Sequence, residues 1–244
     1  MPAKVISATI SLLRPLYQFI YPPTCLACEA HLNDDERKIC NKCWSSVRRL
    51  SRADSLYQEK LGELTSGGYI SGLASVFHFE KDGTLQNVVH QLKYNGMTSI
   101  GVELGKLVGE SLYPMLGDEA ITGVVPVPLY PAKERERGYN QSEFIAKGVN
   151  NVTGLKVFPH LLKRTRHTKT QTKLNAQERK ENVAEAFELN SHHSSLISHS
   201  SFLIVDDIIT TGATIDECAK VLKEHGAEKI FAASIAVPDH AHLP

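Results

Sequence analysis

The sequence predicts an α/β fold in which a parallel sheet is flanked by helices, with a small four-cysteine module ahead of it. Three observations predict it. Residues 201–227 read as strand, short polar loop and helix, and residues 229–237 as the strand that follows, a βαβ unit whose strands run parallel. A weakly alternating segment at 74–80 and a buried run at 121–127 supply further strands, separated by stretches with helical spacing. Cys25, Cys28, Cys40 and Cys43 form two C-x-x-C pairs.

The chain has 244 residues, enough for one sizeable α/β domain and a small appendage. Its 27 basic residues balance its 27 acidic ones, so any charged partner must be recognised by a local patch. In residues 5–20 the apolar pattern is broken by Arg14 and Pro15, which excludes a membrane span there. Lys4 is the only basic residue near the start and no cleavage pattern follows, so the cytoplasm is the expected location. Residues 1–22 are expected to form an amphipathic helix that packs on the protein, with contact to a membrane surface as the alternative. Tyr21, Pro22 and Pro23 end it in an extended lead-in.

The two cysteine pairs are separated by eleven residues. Two such knuckles complete a closed tetrahedral zinc shell, which leaves no open position for chemistry and supplies folding free energy to a short polar segment. A pair of disulfides and a redox site are the alternatives. A reducing cytoplasm disfavours the first, and the second needs a single C-x-x-C opening a helix after a strand. Trp44 is read as closing the small core beneath the metal, with base stacking as the alternative.

Residues 45–68 are polar and end in Ser66, Gly67 and Gly68. The expected division is therefore an amino-terminal helix (1–22), a zinc-binding module (23–65) and the main domain (66–244). Beyond the strand at 74–80, Leu85, Val88, Val89 and Leu92 mark one helix, and Ile100, Leu104, Leu107 and Val108 a second. The strand at 121–127 leads to Lys133, Arg135 and Arg137, basic residues at alternate positions that can converge on an anion. The alternative there is an exposed helix start whose Glu134 and Glu136 neutralise their neighbours.

Between Lys163 and Lys180 there are seven basic residues and one acid, Glu178. With few apolar side chains to bury, this stretch is expected to be a mobile cationic lid or a contact for a polyanion. His192 and His193 are expected in solvent, and Cys218, on an apolar helix face, in the core.

At 205–214 the carboxyl end of a buried strand carries Asp206 and Asp207, followed by Thr210, Thr211, Gly212, Ala213 and Thr214 where a helix begins. Ligands of open parallel sheets bind beyond that strand end, and helix amino ends attract anions, so the loop is suited to a phosphate monoester. A capping box between Thr214 and Glu217 would explain Thr214 without a ligand. Side chains alternate along a strand, so both acids can serve one ligand only if the strand ends at them.

The run VDDIITTGAT at 205–214 resembles the phosphoribosyl pyrophosphate signature of type I phosphoribosyltransferases. Together with the cysteine pairs, VPVPLYP at 125–131, RERGYNQSE at 135–143 and KRTRHTKTQTKLNAQERKENV at 163–183, it is similar to the ComF family, which includes GntX-type proteins. The resemblance implies a type I phosphoribosyltransferase-like sheet and a link to natural competence and the use of external DNA. It implies that Asp206 and Asp207 hold the ribose hydroxyls and that residues 210–214 grip the 5-phosphate. Arg135, Arg137, Gly138, Asn140 and Gln141 then belong to the pyrophosphate side, and Arg164, Arg166, Gln171, Leu174, Arg179 and Asn182 to the flexible loop and its flank. Purine-salvage relatives carry an aspartate where this chain has Thr210, which argues against that activity.

Two functions follow. In the first, the protein is a phosphoribosyltransferase that uses structural zinc, with Mg²⁺ held mainly by substrate oxygens. In the second, the same anion sites serve a single-stranded-DNA-binding adaptor without turnover, in which the phosphoribosyl site senses a ligand. The partners expected are phosphoribosyl pyrophosphate or a related sugar phosphate, single-stranded DNA and other DNA-uptake proteins.

Overall fold

A computed structural model describes residues 22–116, 120–166, 178, 183–191 and 196–239. The expected amino-terminal helix, Gln171, Leu174, Arg179, Asn182, His192 and His193 lie outside the described residues. The chain forms two compact units that divide between Val47 and Arg48. The first is built around two tight turns. Cys25 N–H donates to Ala30 O and Leu26 N–H to Lys38 O, and Glu29 and Lys38 take positive φ to close these turns. Helix α1 (Asn41–Ser46) begins at Cys40.

The second unit starts earlier than the glycine-rich loop at 66–68 where a boundary is expected. Residues 48–65 belong to it because they carry helix α2 (Ser55–Thr65), whose Leu56, Tyr57 and Leu64 are buried in its core. Strand β1 (Gly72–Phe79) is buried along its whole length, and α3 (Thr84–Tyr94) buries the expected Leu85, Val88, Val89 and Leu92. Helix α4 (Thr98–Ser111) follows, then β2 (Ile121–Pro126), α5 (Pro131–Arg137), α6 (Gln141–Thr153) and the short β3 (Lys156–Val157). The last elements are β4 (Leu162–Arg164), β5 (Phe187–Leu189), β6 (Ser201–Ile208), α7 (Ala213–Glu224) and β7 (Ile230–Pro238).

Five strands make one sheet in the order β1-β7-β6-β2-β3, every neighbouring pair parallel. Strands buried on both faces need helices on both sides. One face packs α2 and α7, with Phe202 and Ile204 of β6 against Cys218, Ala219 and Leu222. The other carries α3, α4 and α6. Here α4 and α6 cross at backbone distance, since a Cβ at Gly148 would stand 2.2 Å from Val102 O. The small antiparallel pair β4-β5 is a separate two-stranded sheet. It places Lys163 and Arg164 in regular structure rather than in the mobile lid expected of them.

The exposed edge of β1 is covered by the chain that precedes it. Leu50 N–H donates to Val76 O and His78 N–H to Arg48 O, and the Arg49 guanidinium lies 4.9 Å from the Phe77 ring centre.

Candidate functional site

The first unit holds a metal-type cluster. The sulfur atoms of Cys25, Cys28, Cys40 and Cys43 all lie within 4.8 Å of one another, with 3.8 Å between those of Cys28 and Cys40. That spacing fits a tetrahedron with Zn–S bonds of about 2.3 Å. Backbone N–H groups point at the sulfurs, Cys40 N–H at Cys25 Sγ (3.3 Å) and Cys43 N–H at Cys40 Sγ (3.4 Å). Burial would push the Cys25 thiol up, but the amides of Cys40, Ala27 and Cys28 outweigh it and hold the pKa at about 6. A thiolate is the form that ligates zinc.

In the second unit, β6 delivers the acidic pair to the carboxyl edge of the sheet. The strand does not end at them; it runs through Ile208, and the two side chains follow the alternation of the strand. Asp206 lines an open hollow together with residues 208–215, and its Oδ1 accepts from Ser142 Oγ at 3.1 Å. Burial first, and then the charge of Asp207, raise its pKa to about 7. Asp207 does not line the hollow. Only 5% exposed, it forms a 2.7 Å ion pair with Lys93 of α3. Burial would lower the pKa of Lys93, but the Asp207 carboxylate outweighs it and keeps the ammonium above its usual range.

The loop after β6 is open on its ligand side. Among the described residues no group accepts from the N–H of Thr210, Thr211 or Gly212, and Ala213 N–H reaches Thr211 Oγ1 only at 3.5 Å. Gly212 takes φ +76° and starts α7, and a Cβ there would meet Leu64 Cδ2 at 2.4 Å. The capping box does not form: α7 has no side-chain cap, and Glu217 Oε1 instead accepts from Glu185 N–H at 2.8 Å. The amides of residues 210–212 and three threonines, Thr210, Thr211 and Thr214, thus border a hollow at a helix amino end, an arrangement suited to an anion such as phosphate.

Residues 131–137 are a helix, and this rearranges the basic triplet. Lys133 and Arg137, four residues apart, share a face, whereas Arg135 is exposed and two residues from each, about 200° around the axis. Lys133 has its pKa lowered by burial of its ammonium and by the charges of Arg137, Lys93 and Arg164. Because the residue as a whole is exposed, the like charges are the better explanation. Arg137 donates to Gln141 Oε1 and lies 5.3 Å from the ring centre of Tyr94. Asn140 is committed to structure, since Nδ2 donates to Val127 O (3.0 Å) while Oδ1 caps α6 at Ser142 N–H (3.1 Å). Arg164 stacks 5.2 Å from the centre of Phe187, and Arg166 donates to Ala184 O at 2.7 Å. Lys93, Lys133, Arg137 and Arg164 therefore form a cationic rim around the acidic pair. Lys93 left no signal in the sequence, where it reads only as the end of a helix.

Residues 154–243 match the phosphoribosyl transferase domain family and residues 16–54 the double zinc ribbon domain family. Over 107 residues the chain is 35% identical to competence protein F of Haemophilus influenzae, covering 44% of this chain and 46% of that one. It is 32% identical over 152 residues to the DNA utilization protein YhgH of Escherichia coli K12, covering 60% of this chain and 64% of that one. Residues similar to a phosphoribosyl transferase domain and residues similar to a double zinc ribbon thus lie in one chain, and the aligned part spans less than two thirds of the relatives' own length. Among solved structures, an allosteric regulatory enzyme of purine biosynthesis and the glutamine phosphoribosylpyrophosphate amidotransferase of B. subtilis align with TM-scores of 0.36. Each is 20% identical, covering 56% of this chain and 25% and 26% of theirs. Among the described residues no helix is long and apolar enough to cross a membrane.

Proposed function

We propose that this protein binds phosphoribosyl pyrophosphate across the carboxyl edge of its sheet and transfers or senses the phosphoribosyl group in the use of external DNA. The observation that carries the reading is the open hollow after β6, with an acid at one end and uncommitted amides at the other. The 5-phosphate takes the amides of residues 210–212 at the start of α7. Asp206 accepts from a ribose hydroxyl, and a positive charge developing on the ring favours the ionised form of a carboxyl whose pKa is otherwise near 7. Asp207 keeps Lys93 at the rim, and Lys133, Arg137 and Arg164 supply positive charge to the pyrophosphate. Mg²⁺ would neutralise the same leaving group while held chiefly by ligand oxygens. The link to DNA use rests on the chain's similarity to a competence protein and to a DNA utilization protein.

Titration calorimetry with phosphoribosyl pyrophosphate, with and without Mg²⁺, tests the reading in wild type and in an Asp206→Asn, Asp207→Asn double variant. Saturable binding that the double variant loses is expected. Equal affinity in the two proteins removes the acidic pair from the site.

A further inference from the structure

Helix α2 carries a buried lysine that none of the foregoing explains. Its inward stripe is Leu56, Tyr57, Lys60 and Leu64, and Lys60 is only 3% exposed. An apolar side chain would pack in that stripe at no desolvation cost, so a lysine there calls for a reason. Its ammonium donates to Thr210 O at 2.7 Å and pairs with Glu63 Oε2. One turn further on, Leu64 packs on Gly212, where a Cβ would stand 2.4 Å from Leu64 Cδ2. Helix α2 therefore grips the phosphate loop from beneath at two points.

The geometry points to Lys60 as a positioning residue for the phosphate site, a role that rests on the phosphate reading proposed above. A trans peptide places its C=O and its N–H on opposite sides. By drawing Thr210 O inward, Lys60 turns the Thr211 N–H outward, away from the core and toward the open side where an anion would sit. The next residue, Gly212, is set in the left-handed conformation above Leu64, and α7 begins. Lys60 itself touches no ligand.

The test uses ribose 5-phosphate as the probe and the full chain in three forms: wild type, Lys60→Met and Lys60→Arg. Lys60→Met keeps the volume but leaves Thr210 O without its donor and Glu63 without its partner, so a modest drop in melting temperature is expected. Its affinity for ribose 5-phosphate is expected to fall about tenfold or more, with partial recovery in Lys60→Arg. If wild type binds and Lys60→Met binds equally well, the positioning role is overturned while the phosphate site stands. If wild type does not bind, the phosphate reading falls and this role with it. Should Lys60→Met melt low, the Thr211 amide decides in wild type: its NMR resonance must move as ribose 5-phosphate is added, and a stationary resonance overturns the inference.

Discussion

Between pH 3.8 and about 7, the Asp206 carboxyl holds a proton that the unfolded chain loses. Its pKa rises from 3.8 to about 7, so between those values the folded state binds the proton more tightly and stability falls as pH increases. The cost of the carboxylate is absent below the lower value and complete above the upper one. Asp206→Asn is therefore expected to raise the melting temperature by a few degrees at about pH 8 and to leave it nearly unchanged at about pH 4. A gain at both pH values would show that the carboxyl is not the source. Gly212 is constrained twice, by its positive φ and by Leu64. Gly212→Ala should cost about 2–4 kcal/mol in denaturant unfolding, together with affinity for phosphate esters.

Periodicity decided what the sequence could reveal about the elements. Four apolar residues spaced for one face identified α3, and the buried runs identified β2, β6 and β7, because burial there leaves a pattern that one segment carries by itself. Helix α2 escaped because a lysine stands in its inward stripe and makes the segment read as a polar linker. The alternate spacing of Lys133, Arg135 and Arg137 suits an extended chain, whereas on α5 it separates the middle residue from the outer two. The loop at 210–214 was legible because its residue types are peculiar to it, while the pairing of Lys93 with Asp207 joins segments more than a hundred residues apart and leaves no local mark. Helix packing offers its own contrast. At Gly148 a methyl group would collide with the backbone of α4, whereas the one at Gly62 on α2 would meet nothing within 4 Å. Gly148→Ala should lose about 3 kcal/mol or more, and Gly62→Ala should gain about 1 kcal/mol in the same unfolding assay.

Across the whole molecule the five cysteines fall into two classes. Four form the zinc-type cluster, and Cys218 is fully buried with its thiol pushed well up by that burial. Treatment of the native protein with a chelator and a thiol reagent should release zinc and expose four thiols per chain, with the fifth reacting only when the sheet unfolds. Five thiols reacting together under native conditions would contradict the burial of Cys218.

The covering of β1 by residues 48–50 bears on where the chain tolerates shortening. A version begun at residue 48 keeps that seam closed and retains α2. One begun at residue 66 would leave a row of unanswered backbone donors and acceptors along a strand that is otherwise buried, inviting self-association, and would also lack Lys60. A search for the minimal active piece that set its first residue at the glycine-rich turn would therefore recover insoluble, ligand-blind material and mistake the loss for a need for zinc.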